Sequence, residues 1–151
     1  MNGLGDGFPG TVRTSYPHML AEDRVIWTRF LERYGGEVTR CWYDVHVGRA
    51  VPLPPEVGPE YLAVVEGVTK KRIDAVVLWR GRYCVVEVKP YAGFTALGQA
   101  LAYTRLFRVE FATVREVVAM VVCGKVDVDL VDDFALHNVE VVQVGFEGVG
   151  V

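Results

Sequence analysis

Cysteine is scarce in this chain, and what there is does not cluster. Cys41, Cys84 and Cys123 are odd in number and far apart. They form no CxxC pair and no zinc-type spacing with His18, His46 or His137, which argues against a disulfide framework or a structural zinc site. Buried free thiols in a reducing compartment are the expectation. No run approaches the roughly 18 apolar residues needed to cross a bilayer. The opening "MNGLGDGFPG" lacks a basic segment followed by an apolar core, so no secretory leader is read there. An intracellular, cytoplasmic protein without a membrane role is therefore expected. Also missing is an excess of positive charge. The net charge of −3 gives no bulk electrostatic case for binding a polyanion. Any such contact would rest on local patches such as Lys70, Lys71 and Arg72, or Arg80 and Arg82. No P-loop, GxGxxG or GxSxG pattern occurs.

What remains is the composition of one globular domain. The chain has 151 residues, 51% hydrophobic and 23% charged. A chain of this length buries roughly 68–70% of its unfolded surface, enough for a core without staples. The glycine-rich residues 1–15 read as a flexible N-terminal arm, and 16–151 as a single domain.

Within that domain, from Pro17 to Tyr34, the apolar residues Met19, Leu20, Ile26, Trp27, Phe30, Leu31 and Tyr34 recur at helical spacing until "GG" at 35–36. "EVTRCWYDVHVGR" reads as a strand, the proline-rich "VPLPPEVGPE" as a loop, and "YLAVVEGV" as either strand or short helix. Two apolar runs around Gly81 form a hairpin. "AGFTALGQALAYTRLF" reads as a helix with Phe94, Leu97, Leu101 and Thr104 on one stripe. A buried strand "EVVAMVVCG", a short helix "DLVDDFAL" and a last strand "VEVVQVGF" complete the order α-β-β-β-α-β-α-β. A strand–helix–strand succession implies a parallel pair beside the antiparallel hairpin, hence an α/β fold with a mixed central sheet flanked by helices.

The hairpin "RIDAVVLWRGRYCVVEVKP" keeps three charges where buried strands rarely carry any: Asp74, Glu87 and Lys89. With Arg80-Gly81 as a two-residue turn, Asp74 lies opposite Glu87; with Gly81-Arg82, it lies opposite Lys89. Either way the three share one face. Two facing carboxylates repel unless something positive lies between them, and a divalent cation would supply that charge. A plain alternative is an Asp74–Lys89 ion pair with Glu87 solvated.

In these residues the sequence resembles the PD-(D/E)XK nuclease superfamily: Asp74 heads one strand, Glu87-Val88-Lys89 closes the next, and a helix follows. That helix carries Gln99 and Tyr103, four apart and on one face, similar to the QxxxY motif of RecB-like members. The resemblance covers about residues 17 to 122 and implies a restriction-endonuclease-like core and a metal-dependent nuclease. DNA is expected over RNA as substrate. It implies that Asp74, Glu87 and the Val88 backbone carbonyl bind Mg2+ or Mn2+. Lys89 would assist catalysis, and Gln99 and Tyr103 would shape the pocket. An acidic residue of the first helix, Glu22 or Asp23, could complete the metal site, although helix capping or pairing with Arg24 or Arg29 would explain either equally well.

The resemblance also suggests a homodimer and a viral, mobile-element or repair setting. The Pro of the motif is replaced by Ile73, and three cysteines argue against an iron–sulfur cluster. The rival from another class is a catalytically inactive nuclease-fold module for nucleic-acid binding or complex assembly. A hydrolase of small phosphate esters is the third reading. "YDVH" offers Asp44 and His46 on one strand, read as a solvated face.

Overall fold

The computed structural model describes residues 3–145, apart from the side chains of 62 and 66–68. The last residue of the expected final strand, Phe146, and the rest of the tail to 151 lie outside the described residues, as do residues 1 and 2.

Four α-helices, α1 (Ala21–Tyr34), α2 (Leu62–Thr69), α3 (Phe94–Glu110) and α4 (Val131–Leu136), alternate with five strands. These are β1 (Val38–Val47), β2 (Lys71–Trp79), β3 (Arg82–Ala92), β4 (Val117–Val126) and β5 (Val139–Gln143). The strands form one sheet in the order β1-β2-β3-β4-β5. The first two pairings are antiparallel and the last two parallel, so the class is α/β with a mixed sheet. The ambiguous "YLAVVEGV" is the helix α2, an element more than the expected order contained. Thr69 closes it, donating from Oγ1 to the Val65 carbonyl (2.7 Å) and accepting from the Val51 N–H (2.8 Å). No described helix is long and apolar enough to cross a membrane.

Helices cover both faces. On one, α1 buries Ile26, Trp27, Phe30 and Leu31 against Ala75, Val77, Val86 and Val88. The helix starts later than its apolar spacing suggested, because His18 adopts a left-handed φ of 56° behind Pro17 and breaks the run. Leu20 is left at the N-cap, largely exposed. The Trp27 indole donates to the Tyr43 hydroxyl (3.0 Å), satisfying a polar atom inside this layer.

On the other face, α3 presents Ala96, Ala100, Thr104 and Phe107, not the larger stripe expected from its leucines. Small side chains let its first turns sit close to the sheet. Phe94 is turned out to solvent instead, at 77% exposure. Phe134 of α4 joins the same layer, so both parallel crossovers pass over one face.

The segment 1–15, expected as a loose arm, is tied down in its described part. Phe8 and Cys41 exchange backbone hydrogen bonds of 2.7 and 2.8 Å, and the Trp42 indole donates to the Gly5 carbonyl (3.0 Å). Edge strand β1 has unpaired backbone groups, and this segment covers some of them. The cysteines are free and buried, as expected.

The hairpin turn is Arg80-Gly81. Trp79 pairs with Arg82, and φ is 53° at Arg80 and 78° at Gly81. Two successive positive φ values give the twist that suits a tight hairpin. A Cβ on Gly81 would meet nothing within 4 Å, so a substitution there probes backbone strain alone. Gly81→Ala is expected to cost about 1 kcal/mol, read as a lower urea midpoint with an unchanged slope.

Candidate active site

The β2–β3 ladder runs from Trp79↔Arg82 to Ala75↔Val86 and stops. Beyond it β2 stays paired with β1, and β3 continues beside β4 to Ala92. The two central strands therefore part where Asp74 and Glu87 face each other. At this point Val88 N–H, deprived of a strand partner, donates to Asp74 Oδ2 (2.8 Å). A side chain has replaced a ladder bond, which meets the demand that buried backbone groups be paired.

The alternation of faces also slips here. Ala75 packs in the α1 layer, yet Ile73, two residues away, packs in the α3 layer. On β1 the same switch separates Tyr43 from Val45, with Asp44 between them at a φ of 51°. A regular strand would keep residues two apart on one face. The slip puts Asp74 at the mouth of the notch rather than flat against one layer.

Glu87 is 2% exposed. Burial pushes its carboxyl up to about 9, with the neighbouring Asp74 charge adding to the rise and Lys89 opposing it. Asp74 is pushed up to about 6, again by burial first, with the Val88 N–H working the other way. Each acid perturbs the other, and Glu87, pushed higher, is the one that retains a proton, which spares the pair two like charges at close quarters. Glu87 Oε1 is buried and has no partner. The alternative of a solvated Glu87 beside an Asp74–Lys89 ion pair is thereby overturned: Glu87 is enclosed. Lys89 acts on both acids through space without a salt bridge to either.

The first helix supplies one more acid. Asp23 is half-buried and pushed up by burial, while Lys89 pulls it down. It acts on both Asp74 and Glu87. Glu22 is exposed and touches this network only through Asp23, so of the two candidates Asp23 is the one that faces the notch. From α3, Tyr103 senses the charges of Glu87 and Asp74, with Gln99 one helical turn away on the same face. Gln99 Oε1 is buried without a partner. Two orphaned acceptors, one on β3 and one on α3, thus accompany this cluster. Such atoms cost free energy unless something donates to them or binds there.

The basic triplet lies at the start of β2, just before Asp74. Lys70 pairs with Glu110 (3.7 Å). Arg72 pairs with Asp44 (3.5 Å) and contacts the His18 ring (2.8 Å to Nε2). Lys71 is exposed at the start of β2. Asp44 also draws in His46 (3.3 Å) and His18 (3.4 Å). Asp44 and His46 are therefore half-buried members of a network and not the solvated face the sequence suggested. Sequence spacing could not find His18, because it comes from the break before α1. Among the described residues, no group of three or more His, Cys, Asp or Glu is arranged to hold a metal ion.

No protein-family model matches the chain, and no curated protein or solved structure matches it.

Because the pair is held protonated in the fold, its pH dependence has a definite sign. A carboxyl raised above its unfolded value stabilises the protein below that value, and the contribution is lost as pH rises through the folded one. Thermal stability in EDTA is expected to fall between about pH 5 and pH 9, and Glu87→Gln should flatten that slope. Equal slopes in the two proteins would refute the buried-proton account.

Proposed function

We propose that this protein is a metal-dependent nuclease of PD-(D/E)XK type, hydrolysing phosphodiester bonds, with DNA preferred over RNA. The observation that carries the reading is the buried, unpartnered Glu87 Oε1 facing Asp74 where β2 and β3 part. Keeping two carboxylates enclosed at close quarters is unfavourable for stability alone, and a hard cation relieves it. The donor set suits such an ion: Asp74 and Glu87 would hold Mg2+ or Mn2+, with the Val88 carbonyl as the backbone ligand that the resemblance adds. When bound, the ion would polarise a phosphate oxygen and acidify a water.

The remaining roles belong to the chain. Lys89, already acting on both acids, offsets charge that builds on the phosphate and orients the attacking water. Asp23 adds a third negative charge from α1. Gln99, one helical turn from Tyr103, would offer its amide to the substrate. The restriction-endonuclease-like strand order and a homodimer cutting both strands belong to the same proposal.

The alternative is a catalytically inactive nuclease-like module used for nucleic-acid binding or complex assembly. The test is cleavage of labelled single-stranded, duplex and branched DNA, and of RNA, with Mg2+, Mn2+ or EDTA. Metal-dependent cutting is expected, abolished by Glu87→Ala and reduced at least about 100-fold by Lys89→Ala. A folded wild-type protein that cuts nothing would favour the binding module.

The acids of α1 give a finer prediction. Asp23→Asn should weaken activation by Mn2+, seen as a higher half-saturating concentration, whereas Glu22→Gln should leave it unchanged.

A further inference from the structure

For a chain of net charge −3, the end of the sheet where β1 finishes and β2 begins is unexpectedly basic. Arg49 follows β1, Lys70 and Lys71 open β2, and Arg105 projects from α3. The Lys70 ammonium is paired with Glu110 (3.7 Å). The Arg49, Lys71 and Arg105 side chains have no hydrogen bond or ion pair among the described residues, and all three are exposed. Unpaired cations gathered on one surface leave a local positive potential that the net charge hides.

Arg49, Arg105 and Lys70 line two adjoining hollows, and the Lys71 stem passes beside Gly48, which belongs to both. One cavity of about 360 Å³ is lined by Gly48, Arg49, Arg105, Leu106, Val109 and Glu110. A second, of about 370 Å³, shares Gly48 and Arg49 with it and reaches Val51 and Lys70. Gly48 turns the chain at the wall with a φ of 79°, and a Cβ there would make ordinary contact with Leu106 (3.4 Å) and the Lys71 stem (3.9 Å). Glu110 does not cancel the positive charge: its carboxylate is engaged by Lys70 and by the Gly48 N–H (3.1 Å). The exposed Val51 and Val109 supply apolar surface alongside.

The hollow adjoins two elements that carry the candidate active site, β2 and α3. Lys71 is three residues from Asp74 on β2, about 10 Å at the rise of a strand. Leu106 lies one helical turn beyond Tyr103 on α3, and both belong to the same packed layer. Two of the three arginines lining another hollow, beside α1, are by contrast engaged: Arg13 lies over the Phe8 ring and Arg24 donates to the Thr14 carbonyl.

We infer that Arg49, Lys71 and Arg105 form a track for the phosphodiester backbone of a nucleic-acid strand, leading it along α3 to the Asp74–Glu87 notch. This rests on the nuclease reading for what the notch does, but binding to the track can be measured without cleavage. The track holds phosphate by charge and reads no base, so binding should be sequence-independent and strongly salt-dependent.

The experiment is fluorescence anisotropy of full-length protein with labelled single-stranded DNA, duplex DNA and RNA in EDTA, over a range of salt. Wild type is compared with Arg49→Ala/Arg105→Ala, whose folding is checked by circular dichroism. The double variant should bind more weakly at every sequence. Its salt slope should fall by about 0.7 per lost contact on a single strand and about 0.9 on a duplex. In Mg2+ its KM should rise with kcat unchanged. No binding by wild type, an unaltered slope in the variant, or equal binding to polyglutamate would each overturn the track. A protein that binds through these arginines but cuts nothing would sink the nuclease reading and leave the track standing. One that cuts, with binding indifferent to the arginines, would do the reverse.

Discussion

The bond from Val88 N–H to the Asp74 carboxylate organises the centre of this molecule. Once β2 and β3 part after Ala75↔Val86, the next inward backbone donor of β3 has no strand to meet. Leaving it unpaired inside the protein would cost as much as a lost hydrogen bond. Asp74 meets the need with a side chain, and its carboxylate is thereby held at the mouth of the notch opposite Glu87. Separation of the strands, enclosure of Glu87 and approach of α3 are consistent with this one substitution of a side chain for a ladder bond.

The cost of that arrangement is electrostatic. Two acids share an enclosed space with a third, Asp23, at its edge and one lysine to oppose them. Burial raises all three carboxyls, and the pair accommodates itself by retaining a proton. A fold selected for stability alone would do better with apolar residues at these positions. The rest of the sheet does just that, with Val76, Val77, Val85 and Val86 fully buried. The departure is local, and it coincides with the orphaned acceptors on Glu87 and Gln99. That coincidence is why the functional proposal centres on this notch and not on the cavities elsewhere.

Much of the fold could be read from the chain. Alternation and turn chemistry identified five strands, and the Arg80-Gly81 turn was one of two registers derivable from the hairpin. The face of α3 could not be read. Apolar spacing pointed to Phe94, Leu97, Leu101 and Thr104; Thr104 is buried as expected, but the close approach of helix to sheet selected Ala96 and Ala100 beside it, and a small residue carries little signal in a hydrophobic pattern. "YLAVVEGV" was ambiguous because eight apolar residues suit either period until the neighbours are known. The glycine-rich start seemed loose because sequence does not reveal that edge strand β1 will have backbone groups to offer it.

By itself the sequence determined the chemistry available: an acid at 74, an acid and a lysine at 87 and 89, and an amide and a phenol one helical turn apart. Local spacing is enough for that, because strand and helix periods are fixed by the backbone. Only the tertiary structure decided which charges are enclosed and which are engaged. It brought Asp23 toward the notch and left Glu22 outside, and it tied Lys70 to Glu110 and Arg72 to Asp44 and His18. It also left Arg49, Lys71 and Arg105 unpaired among the described residues and near one another, though they come from three separate stretches of chain. Burial and pairing depend on what packs alongside, and no spacing within a single segment contains that information.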